Sequence, residues 1–121
     1  MTLLNDLAQT IHETSLSKGF WDKVYDHRFL GKKRPEPKKD IDFMLAKLAL
    51  VHSEVSEVLE AMRKQMDEEK VVEEIADVLI RLLDFYQGAK TCGWVTSSLD
   101  EVYEKKMAKN KERPKMHGNL A

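Results

Sequence analysis

The chain has 121 residues, enough for one domain with a core of its own and too few for two. Hydrophobic residues make up 42% and charged residues 34%, with only 5 Gly and 3 Pro, a balance that favours long helices over short strands and turns. With 20 basic and 21 acidic residues the formal charge is −1, so no overall field draws the chain to a nucleic-acid polymer or a membrane. No window reaches the ~20 apolar residues of a membrane-spanning helix.

Thr2 to Lys18 sets Leu3, Leu4, Leu7, Ala8, Ile11 and Leu16 at near-helical spacing, with Thr2 as N-cap and Gly19 suited to end the helix. Asn5, Asp6, Gln9, His12 and Glu13 interrupt this stretch, which therefore lacks the apolar run of a signal peptide. Together with the single cysteine, Cys92, which excludes an internal disulfide and suits a reducing interior, this makes a soluble cytoplasmic protein the expectation. Phe20, Trp21 and Tyr25 follow. Residues 26–40 then carry Lys32, Lys33, Arg34, Lys38 and Lys39 around Pro35 and Pro37, which preclude a regular helix and predict a basic loop.

Asp40 is placed to cap a helix from about Ile41 to about Gln65. Its apolar stripe is Ile41, Met44, Leu45, Leu48, Val51, Val55, Val58, Leu59 and Met62. After a polar break at Met66 to Lys70, a second helix is predicted with Asp67, Glu68 and Glu69 in its first turn. Val71, Val72, Ile75, Val78, Leu79, Leu82, Leu83 and Tyr86 form its stripe, and Gly88 or Gly93 ends it. Two rods of similar length on a short linker should lie antiparallel. Ser97 or Ser98 can cap a last helix through about Lys111, with Leu99, Val102, Tyr103 and Met107 inward. Pro114 stops it, and residues 115–121 form a tail. The fold expected is all-α, a four-helix-bundle type built on the long hairpin.

Two pairs of acids lie on that hairpin. Glu54 and Glu57 are three residues apart on the first rod, as are Glu74 and Asp77 on the second, so each pair shares a face and four carboxylates can converge. On the helical wheel all four lie beside or opposite the apolar stripe, where a solvated face is the ordinary outcome. Against that, Glu54 has Val58 at i+4, Glu57 has Ala61 and Glu74 has Val78, so the stabilising i+4 cation of an exposed helix is absent; only Asp77, with Arg81, has one. Ala46, Leu50 and Ala61 on the same face suggest a packed neighbour. An all-carboxylate set suits Mg²⁺, with Mn²⁺ as substitute, and the histidine that a di-iron bundle needs three residues after a glutamate is missing. On the last helix Lys106, Asn110 and Arg113 fall in one line of phosphate-binding donors, with His117 and Gly118 beyond it.

This pattern resembles the MazG-like nucleotide pyrophosphatases, an all-α superfamily whose signature is E-x-x-E followed by E-x-x-D on the next helix. Glu54, Glu57, Glu74 and Asp77 match the four acidic positions, with 16 residues between the pairs. Gly19-Phe20-Trp21 and the series Lys106, Asn110, Arg113-Pro114, His117-Gly118 are also similar to elements of small members, whereas Asn119 stands where relatives often have Lys. The resemblance implies Mg²⁺-dependent hydrolysis of a nucleoside triphosphate, often a deoxynucleotide, to monophosphate and pyrophosphate. Glu54, Glu57, Glu74 and Asp77 would be the metal ligands and catalytic acids, activating a water for attack at the α-phosphorus. Lys106, Asn110, Arg113 and His117 would bind phosphate, and Trp21 would stack the base. It implies a homodimer or dimer of dimers in which neighbouring hairpins complete the bundle. Two other readings are a self-associating helical interaction module without catalysis, and a hydrolase of a phosphoribosyl-type metabolite.

Overall fold

The computed structural model describes residues 3–25 and 38–114. Among them all regular structure is helical: α1 (Leu3–Ser17), α2 (Ile41–Arg63), α3 (Glu68–Thr91) and α4 (Leu99–Glu112). Helix starts follow from short side chains that accept backbone N–H groups left free by the first turn. Asp40 accepts from Phe43 N at 3.0 Å, Asp67 from Lys70 N at 2.9 Å, and Ser98 from Glu101 N at 3.4 Å. Thr2, the cap expected for α1, lies outside the described residues, but α1 receives a cap from far along the chain. Asp100 accepts from Leu4 N at 2.7 Å and Asn5 N at 3.1 Å, while Asn5 returns a side-chain hydrogen bond to Ser98 Oγ at 2.9 Å. A carboxylate over the positive end of α1 thus ties that helix to the first turn of α4.

Three helices end alike. Gly19 (φ 82°), Gln65 (φ 52°) and Gly93 (φ 86°) take the left-handed conformation just past α1, α2 and α3. In each case the next residue's N–H reaches back to a carbonyl five residues earlier: Phe20 to Ser15, Met66 to Ala61 and Trp94 to Ala89. Gly93, not Gly88, therefore terminates α3. Gly88 is interior and buried, because the Trp21 ring lies against it: a Cβ there would sit 2.0 Å from Trp21 Cη2.

α2 and α3 fold back on one another, α1 packs on α3, and α4 packs on α1. The core gathers at the open end of the hairpin, where Trp21, Val24, Tyr25, Met44, Ala89 and Cys92 are buried with Leu16, Phe43 and Phe85 against them. Trp21 is fully enclosed, meeting Phe43 at 5.4 Å and His12 at 4.9 Å between ring centroids. The helical stripes correct the expectation in one respect. Met44 and Leu83 are buried, but most of the predicted apolar stripe faces outward in the single chain, with Leu59 59%, Met62 60% and Ile75 51% exposed. Val55, Val58, Ile75, Val78, Leu79 and Leu82 line an open apolar groove along both rods. Val102, Tyr103 and Met107, expected inward on α4, are exposed as well, because α4 packs along α1 and meets the hairpin at its first residue, where Leu99 N–H donates to Tyr86 Oη at 3.0 Å.

Candidate active site

On the opposite side from the apolar groove, α1, α2 and α3 enclose a cleft of about 510 Å³ whose wall includes Thr10, Thr14, Phe20, Glu54, Asp77 and Arg81. Glu54 comes from the middle of α2, and Asp77 and Arg81 from successive turns of α3. The antiparallel hairpin brings residues so distant in sequence into register. Glu54, Glu74 and Asp77 each offer a carboxylate oxygen within 4.8 Å of the others. Glu74 is buried, Glu54 and Asp77 half-buried. Glu57, one turn beyond Glu54, is exposed and stands outside this group.

Three carboxylates this close repel unless cations neutralise them. Two do so here. Lys70 Nζ lies 2.8 Å from Glu74 Oε1, and that hydrogen bond raises the Lys70 pKa. Arg81 Nε lies 3.4 Å from Glu54 Oε1. Arg81 therefore spans the hairpin to an acid of α2, although Asp77 sits one turn away on its own helix. Neither cation was expected in these roles, since Lys70 precedes its partner by four residues and Arg81 pairs between helices. The all-oxygen set fits a hard divalent cation, which takes carboxylates and keeps room for water and phosphate.

Deeper in, Asp84 lies one further turn along the face that carries Asp77 and Arg81. It accepts from Trp21 Nε1 at 3.0 Å, Ser15 Oγ at 2.9 Å and His12 Nδ1 at 2.7 Å. This buried carboxylate holds α1 and the turn after it onto α3, and both Asp84 and Ser15 reach the cleft wall. Its signal in the sequence is an acid inside the apolar run Leu82 to Phe85, seven residues after Asp77. Above the network, Lys47 Nζ donates to the Phe20 carbonyl at 2.8 Å and lies 4.8 Å from the Trp21 ring centroid. Burial pushes its ammonium pKa down.

The remaining predicted residues divide. Trp21 does not present a face for stacking: it is 0% exposed, its indole N–H is used by Asp84, and its ring is core. Its neighbour Phe20 is 55% exposed on the cleft wall. Within the Gly19-Phe20-Trp21 turn the two aromatics point opposite ways, which composition alone does not reveal. Lys106 and Asn110 lie on α4 and Arg113 caps its end. α4 packs on α1, and its contact with α3 is at its first residue, where Leu99 N–H donates to Tyr86 Oη at 3.0 Å, so among the described residues a single chain does not bring the three to the acids. Asn110 Oδ1 is enclosed without a hydrogen-bond partner among the described residues. His117 and the basic positions Lys32, Lys33 and Arg34 lie outside the described residues.

Comparison with known proteins gives one family. The model of the MazG nucleotide pyrophosphohydrolase domain matches residues 44–117, more than half of the chain and all four predicted acids. No curated protein and no solved structure matches.

Proposed function

Because the chain belongs to the MazG nucleotide pyrophosphohydrolase family, hydrolases of phosphoric anhydride bonds, we propose that it converts a nucleoside or deoxynucleoside triphosphate and water to the monophosphate and pyrophosphate. The observation that carries this reading is the convergence of Glu54, Glu74 and Asp77 within 4.8 Å beside a cleft of about 510 Å³. The family is generally dependent on a divalent metal. In this reading Glu54, Glu74 and Asp77 hold Mg²⁺, with Mn²⁺ as substitute, and Glu57 serves as the fourth acid from the rim. When bound, the ion supplies Lewis acidity that offsets phosphate charge and favours ionisation of water. The chain's own contribution is orientation. The α2–α3 hairpin fixes three carboxylates on rigid helices, the Asp84 network seats α1 over them, and Phe20 offers an exposed ring to the base.

The exposed groove along α2 and α3 supports self-association as a homodimer or dimer of dimers, since an outward stripe of this length is what a second hairpin would cover. Lys106, Asn110 and Arg113 then bind phosphate at a site to which a neighbouring copy contributes. Among the described residues no helix is long and apolar enough to cross a membrane.

The test is pyrophosphate release from each common dNTP and NTP with Mg²⁺, beside Glu74→Gln, Asp77→Asn and Glu57→Gln proteins. Release that is lost in the first two variants is expected, with the third reporting on the rim acid. A folded, metal-loaded protein that releases pyrophosphate from no nucleotide would sink the proposal and point to another phosphorylated metabolite.

A further inference from the structure

We infer that Arg81 is an exchangeable counter-ion: it occupies Glu54 until a divalent cation takes that carboxylate, and once displaced it turns to the phosphates of the substrate. This rests on the metal-binding reading above and adds to it a residue and an order of events. Three observations place Arg81 in this role. Its Nε is 3.4 Å from Glu54 Oε1, the ligand that α2 contributes to the acidic group. Among the described residues this is the guanidinium's one ion pair, so its terminal N–H donors are not committed to a carboxylate. Arg81 also lines the cleft, unlike Lys70, which neutralises Glu74 from outside it.

The chemistry follows from charge and shape. A carboxylate that donates its electron pairs to a doubly charged ion attracts a guanidinium less, because the ion's charge now opposes it. Arg81 cannot deprotonate, so its charge must find another partner. Nothing else on the α3 turn supplies one: Asp77 belongs to the same acidic group, and Asp84 already accepts three hydrogen bonds. The partner that enters the cleft is an anionic phosphate, whose oxygens match the planar fork of donors that guanidinium presents. Lys47, whose charge Arg81 opposes, is occupied by the Phe20 carbonyl and the aromatic rings. The same side chain therefore stabilises the acids without metal and the anion with it.

Two affinities separate this from a purely structural ion pair. Mn²⁺ alone is titrated, by the loss of the free-ion paramagnetic resonance signal, into wild type, Arg81→Met, Lys70→Met and Glu74→Gln proteins; inorganic pyrophosphate is then titrated calorimetrically into the Mn²⁺-loaded forms. Loss of a counter-ion that the metal must displace should tighten Mn²⁺ binding in Arg81→Met by about two- to fivefold, the range for a partly exposed ion pair. Lys70→Met should tighten it in the same direction. Only Arg81→Met should lose affinity for pyrophosphate, by about tenfold, as expected for a charge-assisted contact. Unchanged or weaker Mn²⁺ binding by Arg81→Met, or undiminished pyrophosphate binding, overturns the inference while leaving the metal site standing if Glu74→Gln abolishes Mn²⁺ binding. Folded wild type that binds no Mn²⁺ overturns the metal site itself and the inference with it.

Discussion

Replacing Gly88 by alanine probes the contact on which the placement of α1 depends. Alanine is the better helix former, and in an exposed helix interior the change would stabilise by about 1 kcal/mol. Here the new Cβ would lie 2.0 Å from Trp21 Cη2 and 2.5 Å from Cζ2 and Cζ3, against the 3.4 Å at which ordinary contact begins. The benzo edge of the indole must recede by about 1.4 Å, the difference between those two distances. It has little room. His12, Tyr25 and Phe43 stand around the ring at centroid distances of 4.9, 6.3 and 5.4 Å, and Nε1 is held by Asp84 at 3.0 Å. Overpacking of this kind costs about 1–3 kcal/mol. Loss of a hydrogen bond to a charged acceptor costs about 1.5–3 kcal/mol more. Less the propensity gain, the net destabilisation should be about 1.5–5 kcal/mol, a large part of a small domain's stability. Urea unfolding at one fixed protein concentration, followed by tryptophan emission in a Trp94→Phe background so that only Trp21 reports, measures it directly. In a Trp21→Phe background, which removes the offending atoms, the same substitution should cost far less. A Gly88→Ala protein as stable as its parent, with unchanged emission, would refute the seating of Trp21 on α3 and with it the account of how α1 is held over the acids.

Gln65→Gly should stabilise the protein by about 1 kcal/mol, since a residue with a Cβ holds the left-handed conformation after α2 at that cost; a thermal midpoint that falls would show that the Gln65 side chain makes a compensating contact. For Asp40, the Phe43 N–H that its carboxylate accepts, and after it the Lys23 ammonium, hold the carboxyl pKa below its ordinary 3.8. A group whose pKa is lowered by folding contributes stability that is full above its unfolded value and is lost as pH falls through the folded value. The stability gap between wild type and Asp40→Asn should thus be constant at neutral pH and close below about 3.8. A gap that persists undiminished into that acid range would show that the cap acts without its charge.

Much of this architecture was legible because it rests on local rules. Periodicity gave the two long rods, Asp40 and Ser98 announced their helices by the short oxygen acceptors that free N–H groups require, and Gly19 marked an end by its freedom to adopt positive φ. Gln65 escaped notice because nothing about glutamine signals a left-handed residue. The E-x-x-E and E-x-x-D spacings put each pair of acids on one helical face, and with the neighbouring residues they carried the family resemblance that the domain match supports.

What the sequence could not decide is which side of each helix meets which neighbour. Apolar periodicity marks the stripe that avoids water, but water can be excluded by another part of the same chain or by a second molecule, and the pattern is the same in both cases. Only the tertiary structure shows that the strongest stripe faces outward while α1 covers the flank bearing Glu54, Asp77, Arg81 and Asp84. The same holds for single side chains. Trp21 and Phe20 are adjacent and both aromatic, yet one N–H within reach of Asp84 and one glycine without a Cβ make the first a core residue and leave the second on the cleft wall. By itself the sequence determined the helices and the chemistry on each face, because those depend on residues a few positions apart. Tertiary structure decided partners, burial and the pairing of Arg81 with Glu54, because those depend on groups brought together only when the hairpin closes.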